Sequence, residues 1–368
     1  MLATCILIAI ILLAYANGAN DNFKGTATLW GSGTLNYTKA LRLATVATVA
    51  GALVSVLFAT TLVKNFSGKG LVPDALAQSP IFLLSVALGA GLTVLLATRF
   101  GFPISTTHGL VGALVGAGFA GVAQSVNLSL LGKTFFLPLV LSPVVAVIAS
   151  LSVYLIFKRL RNFSKIEKES CVCIVNEMPV LVQPNMPLAL INTTKIVAST
   201  EGCDEMYVGK IMGINAQSVL DALHYVSAGT VCFARALNDA PKMAGLLLAV
   251  VFFTPSVNIT ILAAAMAIGG ILQARKVAET MSRNITPMNH GQGFSANLVT
   301  GVLVILASTK GLPVSTTHVS VGSLIGIGLV NGKADYSQIG KILLSWVLTL
   351  PIAAVLSGLF YIIFQQFN

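Results

Sequence analysis

Two polar stretches interrupt the apolar segments of this chain, and their residue types can bind ions. The first reads Asn-Gly-Ala-Asn-Asp-Asn-Phe-Lys from Asn17 to Lys24, and the second, from Arg235 to Lys242, repeats the Asn-Asp pair and the lysine three residues later. An ionisable group beside a membrane-type segment is costly unless it serves a function. Glycine and asparagine are poor helix formers, so a helix break is expected at both stretches. A broken helix offers carbonyl groups to cations and N–H groups to anions.

A second motif, rich in hydroxyl groups, also occurs twice. Gly101 to His108 reads Gly-Phe-Pro-Ile-Ser-Thr-Thr-His, and Gly311 to His318 reads Gly-Leu-Pro-Val-Ser-Thr-Thr-His. The Asn-Asp pairs are 218 residues apart and the hydroxyl motifs 210 residues apart, in the same order in both halves. The sequence therefore indicates an internal duplication.

The paired Gly-Ala-Asn-Asp-like and Pro-x-Ser-Thr-Thr-His motifs resemble those of the inorganic phosphate transporter (PiT) family of cation-coupled phosphate symporters. The resemblance covers nearly the whole chain except its polar middle, and the duplicated Ser-Thr-Thr-His motif is its specific signal. The second copy departs from the family pattern, with Ala236-Leu237 where Gly-Ala or Gly-Gly is usual. The resemblance implies transport of inorganic phosphate, and it also implies a homodimer.

The composition is that of a membrane protein. Hydrophobic residues make up 55% of the chain and charged residues only 9%, with a mean hydropathy of +0.88, whereas about 25% of a soluble domain is charged. The apolar runs are continuous and not alternating, so helices in a lipid bilayer are expected and a β-barrel is not. The net charge of +10 is attributed to basic cytoplasmic loops, and nucleic-acid binding is not expected.

Each hydroxyl motif is expected to separate two helices. Its glycine and proline stop one helix, and its serine is a favourable N-cap for the next. The unit is either two spans joined at the membrane surface or a re-entrant hairpin with its tip at mid-membrane. Irregular backbone at that depth is allowed only where it lines a polar cavity, which fits a transport site.

With surface turns each half crosses the membrane five times, and with hairpins three times. Both numbers are odd, so the second half is inverted relative to the first. We therefore predict an all-α polytopic membrane protein of two inverted repeats with discontinuous helices and re-entrant hairpins. Residues 1–157 form the first repeat, 158–216 a polar loop and 217–368 the second repeat. The basic run Lys158-Arg159-Leu160-Arg161 places the loop in the cytoplasm and both termini outside the inner (plasma) membrane.

Phosphate crossing a membrane must exchange its hydration for fixed donors. Helix N-termini supply N–H groups, and serine and threonine add donors without a fixed charge. Neutral donors suit a carrier because the substrate must leave again. The predicted phosphate ligands are Ser105, Thr106, Thr107, Ser315, Thr316 and Thr317, with the amides of Asn20 and Asn238. For a single Ser-Thr-Thr copy, helix capping alone is an equally good explanation.

Asp21 and Asp239 accept hydrogen bonds and would repel phosphate unless a cation lies between them. Carboxylate, amide and carbonyl oxygens form a hard site suited to an alkali ion, so these aspartates, with Asn20 and Asn238, are predicted to bind sodium as a co-substrate. The alternative for each aspartate is an N-cap facing the cytoplasm. Lys24 and Lys242 either neutralise the aspartates or extend to the membrane surface, and the second role is the expected one.

Five further polar residues are candidates for the same site. Asn17 and Asn22 flank the first Asn-Asp pair, and Gln292 precedes a helix that has no polar match in the first half. His108 and His318 follow the hydroxyl groups, where each can contact phosphate, titrate in support of proton coupling, or simply pack within its helix.

The predicted function is secondary active symport of phosphate with sodium by alternating access, with no cofactor. Proton coupling, or carriage of another oxyanion such as sulfate or arsenate, uses the same ligand types and stays an alternative. A channel is disfavoured because its pore is expected to carry rings of like residues. A membrane enzyme is disfavoured because the sequence has neither a Gly-rich Lys-Ser/Thr phosphate loop nor a paired His-Glu metal motif.

Overall fold

The computed structural model describes residues 2–58, 60–122, 126–164, 166–170, 173–176, 194–197, 205–211, 213–247 and 253–367. In these residues the chain is an all-α polytopic membrane protein, as predicted. Seven of the described helical segments are long and apolar enough to cross a bilayer by length and composition. The alpha helices, numbered in chain order, are α1 Leu2–Asp21, α2 Ala27–Gly31, α3 Tyr37–Phe58, α4 Thr60–Asn65, α5 Asp74–Ala77, α6 Pro80–Arg99, α7 Thr106–Val122, α8 Leu128–Leu130, α9 Leu137–Phe163, α10 Ala216–Leu247, α11 Pro255–Gln273, α12 Arg275–Glu279, α13 His290–Thr309, α14 Thr316–Asn331 and α15 Tyr336–Gln366.

Helix α9 is preceded by a π-helical turn, Leu131–Phe136, and α12 is followed by another, Thr280–Asn284. The described parts of the middle segment form three antiparallel pairs of short strands. Strand β1 (Glu167–Ser170) pairs with β4 (Glu205–Val208), β2 (Cys173–Asn176) with β3 (Thr194–Val197), and β5 (Lys210–Ile211) with β6 (Ile214–Asn215). The described parts of the predicted polar loop therefore include short strands.

The helix breaks at both hydroxyl motifs are confirmed. Gly101 and Gly311 end α6 and α13 in the left-handed region, with φ of 76° and 65°, a conformation that glycine adopts without steric cost. The amide of the next residue then returns to the helix, from Phe102 to the Ala97 carbonyl and from Leu312 to the Ala307 carbonyl. The next helix begins five residues later in both copies, so the two breaks share one local structure.

The two Asn-Asp stretches differ from one another. In the first copy α1 ends at Asp21, and a turn over residues 22–26 leads into α2. In the second copy α10 continues through Asn238, Asp239 and Pro241, so the break predicted there is wrong. Ala236-Leu237 are strong helix formers where the first copy has Gly18-Ala19, and the polar side chains find partners without unwinding the helix.

Long helices of each half pack against helices of the other half. Helix α15 of the second half packs along α7 of the first, and α9 of the first half packs along α14 of the second. In the same way α11 packs along α1, and α3 packs along α10. This packing between the halves brings both hydroxyl motifs and both Asn-Asp pairs to the centre of the molecule.

Candidate functional site

The loops before α7 and α14 meet at the centre of the protein. The Thr317 hydroxyl donates to the Ile104 carbonyl at 2.6 Å, and the Thr107 hydroxyl donates to the Val314 carbonyl at 3.4 Å. Each loop therefore receives a hydrogen bond from a threonine of the opposite half. The contact is reciprocal, as in a two-fold arrangement of equivalent elements.

The carboxylates of Asp21 and Asp239 lie beside these loops and share one amide. The Asn17 Nδ2 atom donates to Asp21 Oδ2 and to Asp239 Oδ2, in both cases at 3.2 Å. The same Nδ2 lies 3.1 Å from Thr106 Oγ1, whose hydroxyl donates to Asp21 Oδ2 at 3.2 Å. Both carboxylates are buried, so the structure brings the two predicted aspartates into one cluster.

Lys24 and Lys242 point into this cluster, and their expected extension to the membrane surface is wrong. Only 2% and 1% of their surfaces are exposed. The Lys242 ammonium donates to Asp239 Oδ1 at 3.0 Å, to the Thr107 hydroxyl at 2.7 Å and to the Val314 carbonyl at 3.0 Å. Three hydrogen-bonded groups thus hold one buried charge, since burial without partners would be costly.

The Lys24 ammonium has the equivalent partners in the other half. It contacts Asp21 Oδ1 and the Thr317 hydroxyl closely, and it lies 3.5 Å from the Ile104 carbonyl. The alternative role, neutralisation of the aspartates, is the one that the structure shows for both lysines.

A fifth charge, Arg235, completes the cluster and was not among the residues predicted for the site. Its Nη1 donates to Asn17 Oδ1 and its Nη2 to the Thr48 hydroxyl, both at 2.8 Å. Among the described residues its Nε has no hydrogen-bond partner. Two signals in the sequence point to it: an arginine inside a helix that spans the membrane, and the 218-residue offset that makes it the repeat counterpart of Asn17.

The cluster carries a surplus of positive charge. Of the described Asp, Glu, Lys and Arg side chains, the buried ones are Asp21, Lys24, Arg235, Asp239 and Lys242. With all five groups ionised, three cations against two anions leave one positive charge in a buried site. An unbalanced charge is unfavourable at such depth, so the site favours an added anion.

Asn20 and Asn238 hold the helix breaks. Asn20 Nδ2 donates to the Thr98 hydroxyl at 2.9 Å and to the Phe102 carbonyl at 3.0 Å, while its Oδ1 accepts from the Ile104 amide at 3.1 Å. Asn238 Nδ2 donates to the Ser308 hydroxyl at 2.9 Å. Thr98 and Ser308 are related by the same 210-residue offset as the hydroxyl motifs. The Asn20 amide is thus bonded at the first helix break, and the Asn238 NH2 group is bonded in the last turn of α13.

The serines of the two hydroxyl motifs act as caps. Ser105 Oγ accepts from the His108 amide at 3.1 Å and Ser315 Oγ from the His318 amide at 3.2 Å. All six hydroxyl residues of the motifs are buried, but the described bonds to the charged cluster come from Thr106, Thr107 and Thr317. Helix capping, considered for a single motif, therefore accounts for the serines.

The two histidines face each other behind the hydroxyl motifs. Their ring centroids are 4.5 Å apart at an angle of 75°. His318 Nδ1 lies 3.1 Å from the Leu139 carbonyl and its ring lies against Trp346. Both rings therefore lie at the junction of the two halves, where His318 is buried and His108 is half-buried.

The remaining candidates lie further out. Asn22 turns towards α3, where its Oδ1 accepts from the Thr48 hydroxyl at 2.7 Å and its Nδ2 donates to Thr45 at 3.0 Å. Thr48 also contacts Arg235, so Asn22 belongs to the outer part of the cluster. Gln292 forms a capping box with Asn289 at the start of α13 and lies away from the described partners of the charged residues.

A buried group of five charges, enclosed by helices that span a bilayer, defines a membrane transport protein. A sequence profile described as the phosphate transporter family matches residues 17–357. The chain therefore belongs to the phosphate transporter family, as the duplicated motifs predicted. Members of this family are transporters, so the chain is not an enzyme.

Individual relatives agree with this assignment. A protein of Pyrococcus furiosus named as a phosphate permease is 28% identical, and the match covers 98% of this chain and 97% of that protein. A Bacillus subtilis protein named as a low-affinity inorganic phosphate transporter is also 28% identical, over 100% of this chain and 98% of the relative. A solved structure described as the sodium-dependent phosphate transporter has the same fold, with a TM-score of 0.75 over the full length of both chains at 22% identity.

Proposed function

We propose that this chain carries inorganic phosphate across the membrane by secondary active transport, with the central cluster as its binding site. The observation that supports this most strongly is the surplus positive charge, buried between the two hydroxyl motifs of a phosphate transporter family member. Arg235 provides a planar guanidinium that suits phosphate oxygens, and its Nε is not committed to any described residue. Thr106, Thr107 and Thr317 contact the aspartate and lysines of the same cluster, and the capped helix starts supply amide groups.

Alternating access is supported by the burial of the site. None of the five charged residues is more than 3% exposed, so phosphate reaches them only if the surrounding helices move. The packing between the halves gives a physical basis for such a movement, because helices of each half enclose residues of the other half. Rocking of one repeat against the other is the common scheme for carriers with inverted repeats.

The inverted orientation of the repeats and the re-entrant hairpins belong to the same proposal. In an inverted pair, surface turns at residues 100–105 and 310–315 would lie on opposite faces of a hydrocarbon layer about 30 Å thick. The two loops instead share hydrogen bonds, which supports placing both as hairpin tips within the membrane. On this basis we also propose the repeat boundaries 1–157 and 217–368, a cytoplasmic middle segment and external termini.

A homodimer is a further part of the proposal. It rests on the family resemblance, and the apolar surfaces of the long helices α9 and α15 are compatible with it. Both helices expose many large apolar side chains, including Val144, Ile148, Val347 and Val355, which lipid or a second copy can cover. Chemical cross-linking in native membranes distinguishes these two coverings.

The coupling ion is the finest part of the proposal. Sodium is supported by the structural neighbour, a sodium-dependent phosphate transporter, and protons are the second candidate. One observation favours protons: the carboxylates predicted to bind sodium already hold the ammonium groups of Lys24 and Lys242.

Uptake of radiolabelled phosphate into liposomes that contain the purified protein tests the proposal. We expect saturable uptake with an inward gradient of protons or sodium, and at least a tenfold loss in Arg235→Gln. Arg275→Gln is the matched control, because Arg275 is an exposed arginine paired with Glu279 on α12. Uptake that persists in a folded Arg235→Gln variant contradicts the assigned site, and absence of uptake by the folded wild-type protein contradicts phosphate transport.

A further inference from the structure

The surroundings of the two buried ammonium groups are the same as those of an alkali-ion site. Lys242 Nζ is surrounded by a carboxylate oxygen of Asp239, the Thr107 hydroxyl and the Val314 carbonyl, at 3.0, 2.7 and 3.0 Å. Carboxylate, hydroxyl and carbonyl oxygens are hard ligands of the kind that bind sodium. An ammonium has three N–H donors, so three oxygen atoms satisfy it fully.

The first half repeats this arrangement residue for residue. Lys24 Nζ contacts the Asp21 carboxylate, the Thr317 hydroxyl and the Ile104 carbonyl. The offset of 218 residues relates the lysines and the aspartates, and the offset of 210 relates the threonines and the carbonyl residues. The duplication has therefore preserved two complete cation environments, each with its cation supplied by the chain.

We propose that Lys24 and Lys242 are tethered replacements for two coupling cations, so that phosphate transport by this chain is independent of sodium. This inference rests on the proposed function, phosphate transport through the central cluster. A sodium ion at Asp21 or Asp239 would have to displace an ammonium from its carboxylate, hydroxyl and carbonyl partners. If the ammonium stayed, two cations would compete for the same oxygen atoms and repel each other.

The charge of the cluster also selects the form of the substrate. With both lysines, Arg235 and both aspartates ionised, the site carries one positive charge, which the monoanion H2PO4− neutralises. The dianion HPO4 2− would leave a buried negative charge, which is unfavourable in a medium of low dielectric constant. Import of H2PO4− brings in one proton more than import of HPO4 2−, so a pH difference with an alkaline interior drives accumulation of total phosphate without a separate cation site, while one negative charge moves inward with each phosphate.

The inference is tested by replacing external sodium with N-methylglucamine during liposome uptake, at fixed membrane potential. We expect wild-type initial rates to change by less than twofold, and uptake to rise severalfold as the external pH falls through the second ionisation of phosphoric acid. A tenfold or greater loss on sodium removal overturns the inference while the phosphate transport itself stands. Absence of phosphate uptake under every gradient, from protein shown to be folded, instead contradicts the proposed function.

Chemical rescue of Lys242→Ala provides a second readout. Removal of the side chain leaves its three oxygen atoms in place and opens space for a small cation. We expect uptake by this variant to fall at least tenfold and to recover severalfold with added sodium or methylammonium, neither of which changes the wild-type rate. Lys341→Ala is the matched control, because Lys341 is an exposed lysine of α15.

The fold of the variant is checked separately. Elution as the wild-type species and an unfolding temperature that rises with added sodium show that Lys242→Ala retains the site. Such a rise, absent from the wild-type protein, supports a vacated cation position. A folded Lys242→Ala protein that neither responds to sodium in unfolding nor recovers uptake assigns Lys242 a purely structural role and overturns the tethered-cation proposal.

Discussion

The two halves of the molecule make equivalent contacts around the two buried lysines and differ further along α10. At the centre each half contributes an aspartate, a lysine, a threonine and a carbonyl in reciprocal contacts. Further along α10, His224 Nε2 lies 2.9 Å from the Thr28 hydroxyl, and Asn297 Nδ2 donates to the same hydroxyl at 2.7 Å. The position of His224 in the first half is Ile6, a fully buried core residue.

This difference separates positions at which the two copies make equivalent contacts from positions at which they do not. A substrate that is approached from two sides requires matched ligands, so reciprocal contacts are retained at the centre. Polar residues in this region have no counterpart in the other copy, although the first half (Thr28) and the second half (His224 and Asn297) both contribute to them. The line of Gly25, Thr28, His224 and Asn297 leads from the central break towards the middle segment, where His290 Nδ1 lies 2.6 Å from Asp221 Oδ1.

The largest expected effect comes from a glycine present in only one copy. A Cβ added to Gly18 would lie 1.9 Å from the Met266 carbonyl oxygen, so Gly18→Ala forces α1 and α11 apart. The counterpart position holds Ala236, and Ala236→Gly should cost only about 1 kcal/mol of helix stability. We expect Gly18→Ala to yield little folded protein in size-exclusion chromatography and Ala236→Gly to yield normal amounts. Equal yields would show that the helix crossing is not as tight as described.

The next effect tests the asymmetric pair at the centre. Asn17 and Arg235 occupy equivalent positions and contact each other, and Arg235 supplies the unbalanced charge. Arg235→Asn should lower phosphate uptake at least tenfold, because the cluster then has no net charge. The double exchange Asn17→Arg with Arg235→Asn restores the charge and should recover most of the uptake. Failure of the folded double variant would mean that the position of the guanidinium matters, and not only the charge.

These residues show how far the sequence leads. The duplication, both helix breaks at the hydroxyl motifs and the meeting of Asp21 with Asp239 follow from repeated motifs and local propensities. Burial of Lys24 and Lys242 does not, because a lysine near a helix end can reach the surface or a partner equally well, and only packing decides between them. The continuous α10 escaped prediction because Asn238 and Asp239 are bonded by distant residues, Ser308 and Asn17, which outweigh their low helix propensity.

A smaller effect on stability is expected from removing the hydroxyl partners of Asn238 and Asn20. Ser308→Ala leaves Asn238 Nδ2 without its described partner, and its Oδ1 already has none among the described residues, so a loss of about 1–3 kcal/mol is expected. Thr98→Val leaves Asn20 bonded to the Phe102 carbonyl and the Ile104 amide, so a loss of about 1 kcal/mol or less is expected. Unfolding of the detergent-solubilised variants measures the two losses of stability. An equal loss in both would contradict the unequal hydrogen bonding of Asn238 and Asn20.

The smallest effect on stability is expected at His224, where one half has a polar residue and the other Ile6. His224→Leu leaves the Thr28 hydroxyl bonded to Asn297 and to the Gly25 carbonyl, and it removes a buried Nδ1 that has no described partner. Replacing a poorly satisfied polar group by an apolar one is close to neutral, so the unfolding free energy should change by less than about 1 kcal/mol. If the line of polar residues is the route of phosphate to one face, the maximal uptake rate falls severalfold while the KM for phosphate stays constant. An unchanged rate would make His224 part of the packing, and the asymmetry of the halves would then have no role in the direction of transport.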